Sequence, residues 1–332
     1  MAANVLPLAL TMGDPSGIGP ELTLQAWRQR LSETRAFFVL ADPDHLAALA
    51  RHLTWDVPIA SVTPQQAASA FAQALPVVPL SAKVTGEPGQ PRASDAPATI
   101  EAIARAAGYV HAGQAAAMVT NPIAKHVLYQ AGFSHPGHTE YLGELAQKLW
   151  GRPATPVMLL WSPELAVVPV TVHIALALVP ASLTIALIVE TARVVARDFA
   201  RHFGIVRPRL AIAGLNPHAG EGGAMGREEQ AIIIPAIAQL QAEGLAVTGP
   251  HPADTLFHAK ARKYYDVVLA MYHDQALIPI KTIAFDHGVN VTLGLPFLRT
   301  SPDHGTAFDI AGRGVADCAS LLAALALAAR LT

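Results

Sequence analysis

Charge is scarce in this chain. Lys, Arg, Asp and Glu make up 14 % of its 332 residues, and the formal net charge is −2. With a pI near 6.7, that balance argues against a general nucleic-acid binder, which would carry a basic face. Cysteine is nearly absent as well. Cys318 stands alone, which excludes an internal disulfide and is consistent with a reducing cytoplasm. The N-terminus lacks a basic region and meets Asp14 early, so it does not read as a secretory signal. There is no internal repeat, low-complexity tract or clean domain linker. One stretch has no Asp, Glu, Lys or Arg, residues 165–189, and it is long enough to span a bilayer. Pro169 and Pro180 divide it, however, and His173 sits in its middle. A buried strand, a loop and a partly buried helix entered at Pro180 explain it better than a membrane span.

Apolar material, by contrast, is plentiful. Hydrophobic residues make up 52 % and the mean hydropathy is +0.34, enough for one large or two ordinary domains. Apolar strand candidates at 6–10, 37–40, 116–120, 157–160, 166–172, 210–214 and 266–271 alternate with helical patterns. Asp42-Pro43 and Thr63-Pro64 place a capping residue before a proline, the order that opens a helix. Further helices are expected at 97–111, after Thr139 to 150, at 227–243 and at 316–331. Such alternation indicates an α/β fold with mostly parallel sheets.

Candidate anion-binding residues gather in residues 270–314. Lys281, Asn290, Arg299 and His304 follow the strand candidate that ends near 271, and ligands bind where such strands end. Lys, Asn and Arg offer many donors for gripping a phosphate or carboxylate. His173, His218 and His273 share a placement, each just after an apolar strand candidate. That points to a divalent metal: neutral imidazoles suit zinc and its neighbours, and three protein ligands leave positions open for water or substrate. Asp254 and Asp274 could orient such ligands or could cap helices. His138 and Thr139 stand just ahead of a helical pattern, where backbone N–H groups favour an anion. The alternative there is Thr139 as a plain N-cap.

These residues lie in motifs that also carry a resemblance. TMGDPSGIGPE at 11–21, GHTEYL at 137–142, GLNPHAGE at 214–221, MYHDQ at 271–275 and TLGLPFLRTSPDHGTAFDIAGRG at 292–314 are similar to the signatures of the 4-hydroxythreonine-4-phosphate dehydrogenase family. Their order and spacing fit over essentially the whole chain. The resemblance implies two α/β/α domains of the isocitrate/isopropylmalate dehydrogenase type with a cleft between them. Residues 1–140 plus 295–332 would form the first, and 141–294 the second, with the metal ligands and dimer contacts. It implies that His173, His218 and His273 bind a divalent metal (zinc, magnesium or cobalt) at the interface of a homodimer. His138, Thr139, Lys281, Asn290 and Arg299 would bind substrate, with Lys281 as proton donor or relay. One departure is visible. After the first histidine the family commonly has HIPL and then a basic–acidic pair, whereas this chain reads His173-Ile174-Ala175-Leu176-Ala177-Leu178.

The implied cofactor is NAD or NADP. No GxGxxG fingerprint is present, which argues against a Rossmann-type site. His304, Gly305, Thr306 and Ala307 are instead similar to the adenine-side loop of the isopropylmalate dehydrogenases; the alternative is a tight glycine turn before the last helix. The reaction implied is oxidation of 4-phosphooxy-L-threonine to a 3-keto acid, which decarboxylates to 3-amino-2-oxopropyl phosphate in pyridoxal 5′-phosphate synthesis. Two alternatives stand beside it: a paralogue acting on another phosphorylated four-carbon acid, such as phospho-threonate or phospho-erythronate, and a three-histidine metal hydrolase. A cytoplasmic homodimer is expected, with neither nucleic acid nor membrane as partner.

Overall fold

The computed structural model describes residues 5–135 and 137–332. The chain divides into two compact units, Met1–Pro156 with Leu295–Thr332, and Val157–Gly294. Among the described residues the first unit holds six strands, in the spatial order Ile59–Ser61, Leu75–Pro79, Phe37–Ala41, Leu8–Thr11, Met118–Thr120 and Arg299–Pro302. Every neighbouring pair is parallel. Leu8, Leu10, Phe37, Phe38 and Val39 are buried, the all-apolar pattern of a parallel strand covered on both faces. The buried carboxylate of Glu21 ties the two ends of the chain together, accepting from Gly312 N at 2.8 Å and Ala316 N at 3.3 Å.

The second unit has, among the described residues, the order Val289–Leu293, Val157–Trp161, Ala166–Pro169, Val267–Ala270, Leu210–Ala213 and Val247–His251. The first two pairings are antiparallel and the other three parallel. Its core joins Val167, Ala211 and Val268 from the strands to Ala276, Ile280 and Ala284 from the helix His273–Ala284. Those three helical residues recur every four positions and so form one apolar stripe.

Several expectations need correcting. A domain break after residue 140 falls inside the helix His138–Trp150, which lies in the first unit. Buried Leu142, Leu145 and Ala146 hold it there, and Trp150 stacks on Phe297 with ring centroids 5.0 Å apart. Pro180 opens only the single turn Val179–Ser182. Leu183 is extended, and the long helix Ile185–His202 starts behind Thr184, whose Oγ1 accepts from Leu187 N at 3.0 Å. Residues 273–284, outside every helix expected above, are helical, and the strands Val247–His251, Val289–Leu293 and Arg299–Pro302 lie outside every strand candidate. No single helix among the described residues is long and apolar enough to cross a membrane.

Candidate active site

Three adjacent parallel strands of the second unit, Ala166–Pro169, Val267–Ala270 and Leu210–Ala213, end in register, with Ala270 opposite Pro169 and Leu269 opposite Ile212. His173, His273 and His218 therefore all follow the same carboxyl edge of the sheet, where open α/β sheets bind ligands. Beyond the strands the ladder continues: Val170 N donates to Ala270 O at 2.8 Å, and Thr171 Oγ1 to Met271 O at 2.7 Å. That pairing sets the imidazoles of His173 and His273 side by side, with ring centroids 5.4 Å apart. Two imidazoles on one tetrahedral zinc, with Zn–N of about 2.1 Å, would place their centroids about 5 Å apart. The pair fits a divalent ion. Asp274 Oδ1 lies 2.7 Å from His273 Nδ1. A carboxylate can only accept, so Nδ1 carries the hydrogen and Nε2 is left with the lone pair a metal needs.

The pair lines an open depression of about 210 Å³ with Thr171, Ile174, Leu176 and Tyr272. No group of three potential ligands gathers within one chain among the described residues. His218 stands on a turn of its own. His218, Ala219, Gly220, Glu221 and Gly222 all have positive φ, forming a short left-handed turn. For the non-glycine residues this conformation costs roughly 1–2 kcal/mol each. The turn persists because side chains on the following segment hold it. Glu229, 2 % exposed, accepts from Leu215 N and Asn216 N at 2.8 Å and from Asn216 Nδ2 at 2.9 Å.

In the first unit the helix His138–Trp150 begins at Gly137, with no side-chain cap. Thr139 is thus not the N-cap; the first turn carries no side-chain cap, and Glu140 is its acidic residue. The Nε2 of His138 is sheltered and makes no hydrogen bond. Burial, then the charges of Arg299 and Lys125, push His138 well below the usual histidine range, so it is neutral at physiological pH. Arg299, 5 % exposed, donates to Thr120 Oγ1 from Nε at 3.0 Å and from Nη2 at 2.6 Å. Burial lowers its pKa to about 10, which still leaves the guanidinium charged at neutral pH. A fixed cation beside a neutral imidazole and a helix start is an anion-binding arrangement.

Lys281 and Asn290 belong to the second unit. Lys281 is in the helix His273–Ala284, its Nζ 5.5 Å from the Phe285 ring centroid, and Asn290 lies in the strand Val289–Leu293 opposite Leu160. His304, Gly305, Thr306 and Ala307 form a loop of the first unit. Thr306 O accepts from Ile18 N at 2.9 Å, and a Cβ on Gly17 would come within 2.9 Å of that same oxygen. The close approach explains the glycine in the 11–21 motif. Beside Gly305 a Cβ would meet nothing within 4 Å, and Ala307 has φ +41°, so this edge is open to a ligand. The structure thus brings His138, Thr139 and Arg299 into one unit and the three histidines to one sheet edge. Lys125, Thr120, Asn216 and Glu229 were not anticipated. The lysine at the end of NPIAK and the Glu pair after the glycine-rich turn were the available signals.

Residues 33–328 match the model of the pyridoxal phosphate biosynthetic protein PdxA. The chain is 58 % identical over 334 residues to 4-hydroxythreonine-4-phosphate dehydrogenase of Methylorubrum populi, covering 100 % of this chain and 96 % of the relative. It is 57 % identical to the enzyme of the same name from Bradyrhizobium diazoefficiens, covering 98 % and 96 %. The crystal structure of 4-hydroxythreonine-4-phosphate dehydrogenase from Klebsiella pneumoniae superposes with a TM-score of 0.85 at 37 % identity, covering 97 % of this chain and 98 % of that one. The chain belongs to the PdxA family of pyridoxal phosphate biosynthetic proteins.

Proposed function

We propose that this protein is a 4-hydroxythreonine-4-phosphate dehydrogenase, dependent on a divalent metal and on NAD or NADP. It oxidises the 3-hydroxyl of 4-phosphooxy-L-threonine to a 3-keto acid, which then loses CO₂ to give 3-amino-2-oxopropyl phosphate. The observation that carries the metal-assisted reading is the imidazole pair His173 and His273 at the carboxyl edge of parallel strands, with His218 following the next strand. His173 and His273 of one chain hold the ion, and His218 of a second copy supplies the third ligand. The metal would act as a Lewis acid on the substrate hydroxyl and the nicotinamide would take up the hydride.

The protein's own part is to grip, orient and move a proton. Arg299, fixed on Thr120, presents a planar charged fork suited to a substrate carboxylate or phosphate. His138, held neutral, presents an unpartnered Nε2, and Thr139 adds first-turn N–H groups. Asn290 contributes a further donor, and Lys281 delivers the proton that replaces CO₂. Asp274 keeps His273 in the ligating tautomer. His304, Gly305, Thr306 and Ala307 form the cofactor edge. A homodimer is supported by exposed apolar residues beside the histidine pair: Ile174 and Leu176 line the same depression and are 42 % and 67 % exposed. A cytoplasmic location, where nicotinamide cofactors are abundant, fits this reading.

The test is formation of NADH or NADPH when purified protein receives a divalent metal and a panel of phosphorylated four-carbon acids. Reduction with 4-phosphooxy-L-threonine far above phospho-threonate and phospho-erythronate is expected. No reduction with any member would overturn the reading.

A further inference from the structure

We infer that Glu229 is a positioning residue for the metal site, clamping the left-handed turn so that His218 is held ready to ligate. The inference rests on the metal reading above. Three successive residues, Glu228, Glu229 and Gln230, all reach back to the turn. Glu229 takes the backbone N–H groups of Leu215 and Asn216 on Oε1, both at 2.8 Å. Asn216 Nδ2 donates to Glu229 Oε2 at 2.9 Å and to Glu228 Oε2 at 2.8 Å. Gln230 Nε2 donates to Gly222 O at 2.7 Å. The His218 turn is therefore anchored at its entry and at its exit.

The fit is tight on the inner side. At Gly220, φ +78°, an added Cβ would sit 2.6 Å from Glu229 Oε2, whereas at Gly222, φ +68°, it would meet nothing within 4 Å. The clamp also begins an irregular element, since Glu229–Ile233 is a π-helical turn ahead of the helix Ile234–Ala242. Such turns are frequent at functional sites. A strained turn held by an over-determined network is what sparsely populated backbone requires. The turn also packs closely on the strand end, since a Cβ on Gly214 would come within 2.9 Å of Ala219 Cα. Its consequence is where it places His218.

Replacing Glu229 by Gln keeps the size and one accepting oxygen but turns an N–H₂ towards Asn216 Nδ2 or the backbone donors. The probe is cobalt(II) alone, titrated into full-length protein at dimer-forming concentration, with affinity from chelator competition and ligation from the visible d–d spectrum. Wild type, Glu229→Gln, Gly220→Ala, Gly222→Ala and His218→Ala are compared, with the metal-free melting temperature of each. Glu229→Gln and Gly220→Ala should bind cobalt roughly 10–100-fold more weakly, Gly222→Ala much less so. A purely structural role predicts a lower melting temperature with unchanged cobalt affinity in folded protein. Affinity within about twofold of wild type in both Glu229→Gln and Gly220→Ala overturns the inference. Wild-type affinity in His218→Ala overturns the metal reading itself, and the clamp with it.

Discussion

Arg299 in the first unit is 5 % exposed and tied to Thr120, while His173 and His273 in the second lie in an open depression beside Leu176 at 67 % exposure. The first unit builds its charge chemistry into the fold. Desolvation is borne once, on folding, and under the proposed reading Arg299, His138 and Thr139 of one unit share the grip on an anion. The second unit sets His173 and His273 in an open depression beside the uncovered apolar side chains of Ile174 and Leu176. Under the proposed reading it is a half-site, which an ion and a second copy of the chain would complete. One region should therefore be indifferent to protein concentration and chelators, and the other sensitive to both.

The largest effect should come from His273→Ala. Losing a ligand removes several kcal/mol of Lewis-acid stabilisation, on the order of 10³-fold in kcat, with bound metal lost by elemental analysis and the metal-free melting temperature unchanged. Arg299→Lys should follow, raising the substrate KM roughly 10–100-fold because a bidentate fork becomes a point charge. Nicotinamide affinity and bound metal should stay as in wild type. If Arg299→Lys loses metal instead, the two regions are not separable in the way described.

Leu176→Asp probes the uncovered surface. It should weaken self-association roughly tenfold or more and make specific activity fall on dilution, as sedimentation and assay at matched concentrations would show. Unchanged sedimentation would mean the loop is not an interface. The smallest effect is the pH response of the first unit. His138 is held well below the usual histidine range, so below about pH 6.5 the unfolded chain binds a proton that the native state refuses. Stability then falls as pH falls, by up to about 1.4 kcal/mol per pH unit, and is fully present above that range. Metal-free His138→Gln should show a shallower decline between pH 6.5 and lower values in chemical denaturation; an identical slope would place the histidine in water.

The parallel framework was legible in the sequence because its central strands are apolar throughout, as in 37–41 and 267–270. The three histidines were legible for the same reason, since each follows such a strand. Arg299–Pro302 was not, because a buried Arg-Thr-Ser-Pro strand has no hydrophobic signature, and its burial depends on Thr120 and on Ala324, whose carbonyl accepts from Thr300 Oγ1 at 2.9 Å. Val289–Leu293 does alternate, with Asn290 half-buried, and a period-two reading was available. The helix His273–Ala284 hid behind Pro279, which ordinarily argues against a helix interior. The left-handed turn at His218 could not be read locally, since His218, Ala219 and Glu221 disfavour it. Contacts from Glu228, Glu229 and Gln230, later in the chain, hold it in place.

The central claim is that one chain supplies His173 and His273 and a second supplies His218. The most direct measurement mixes inactive His218→Ala protein with inactive His273→Ala protein and assays the purified mixed dimer. One of its two sites should then carry all three histidines, restoring roughly half of wild-type activity, while a His173→Ala and His273→Ala mixture stays inactive. A confirmed mixed dimer of His218→Ala and His273→Ala with no activity would contradict the claim and place all three ligands in one chain.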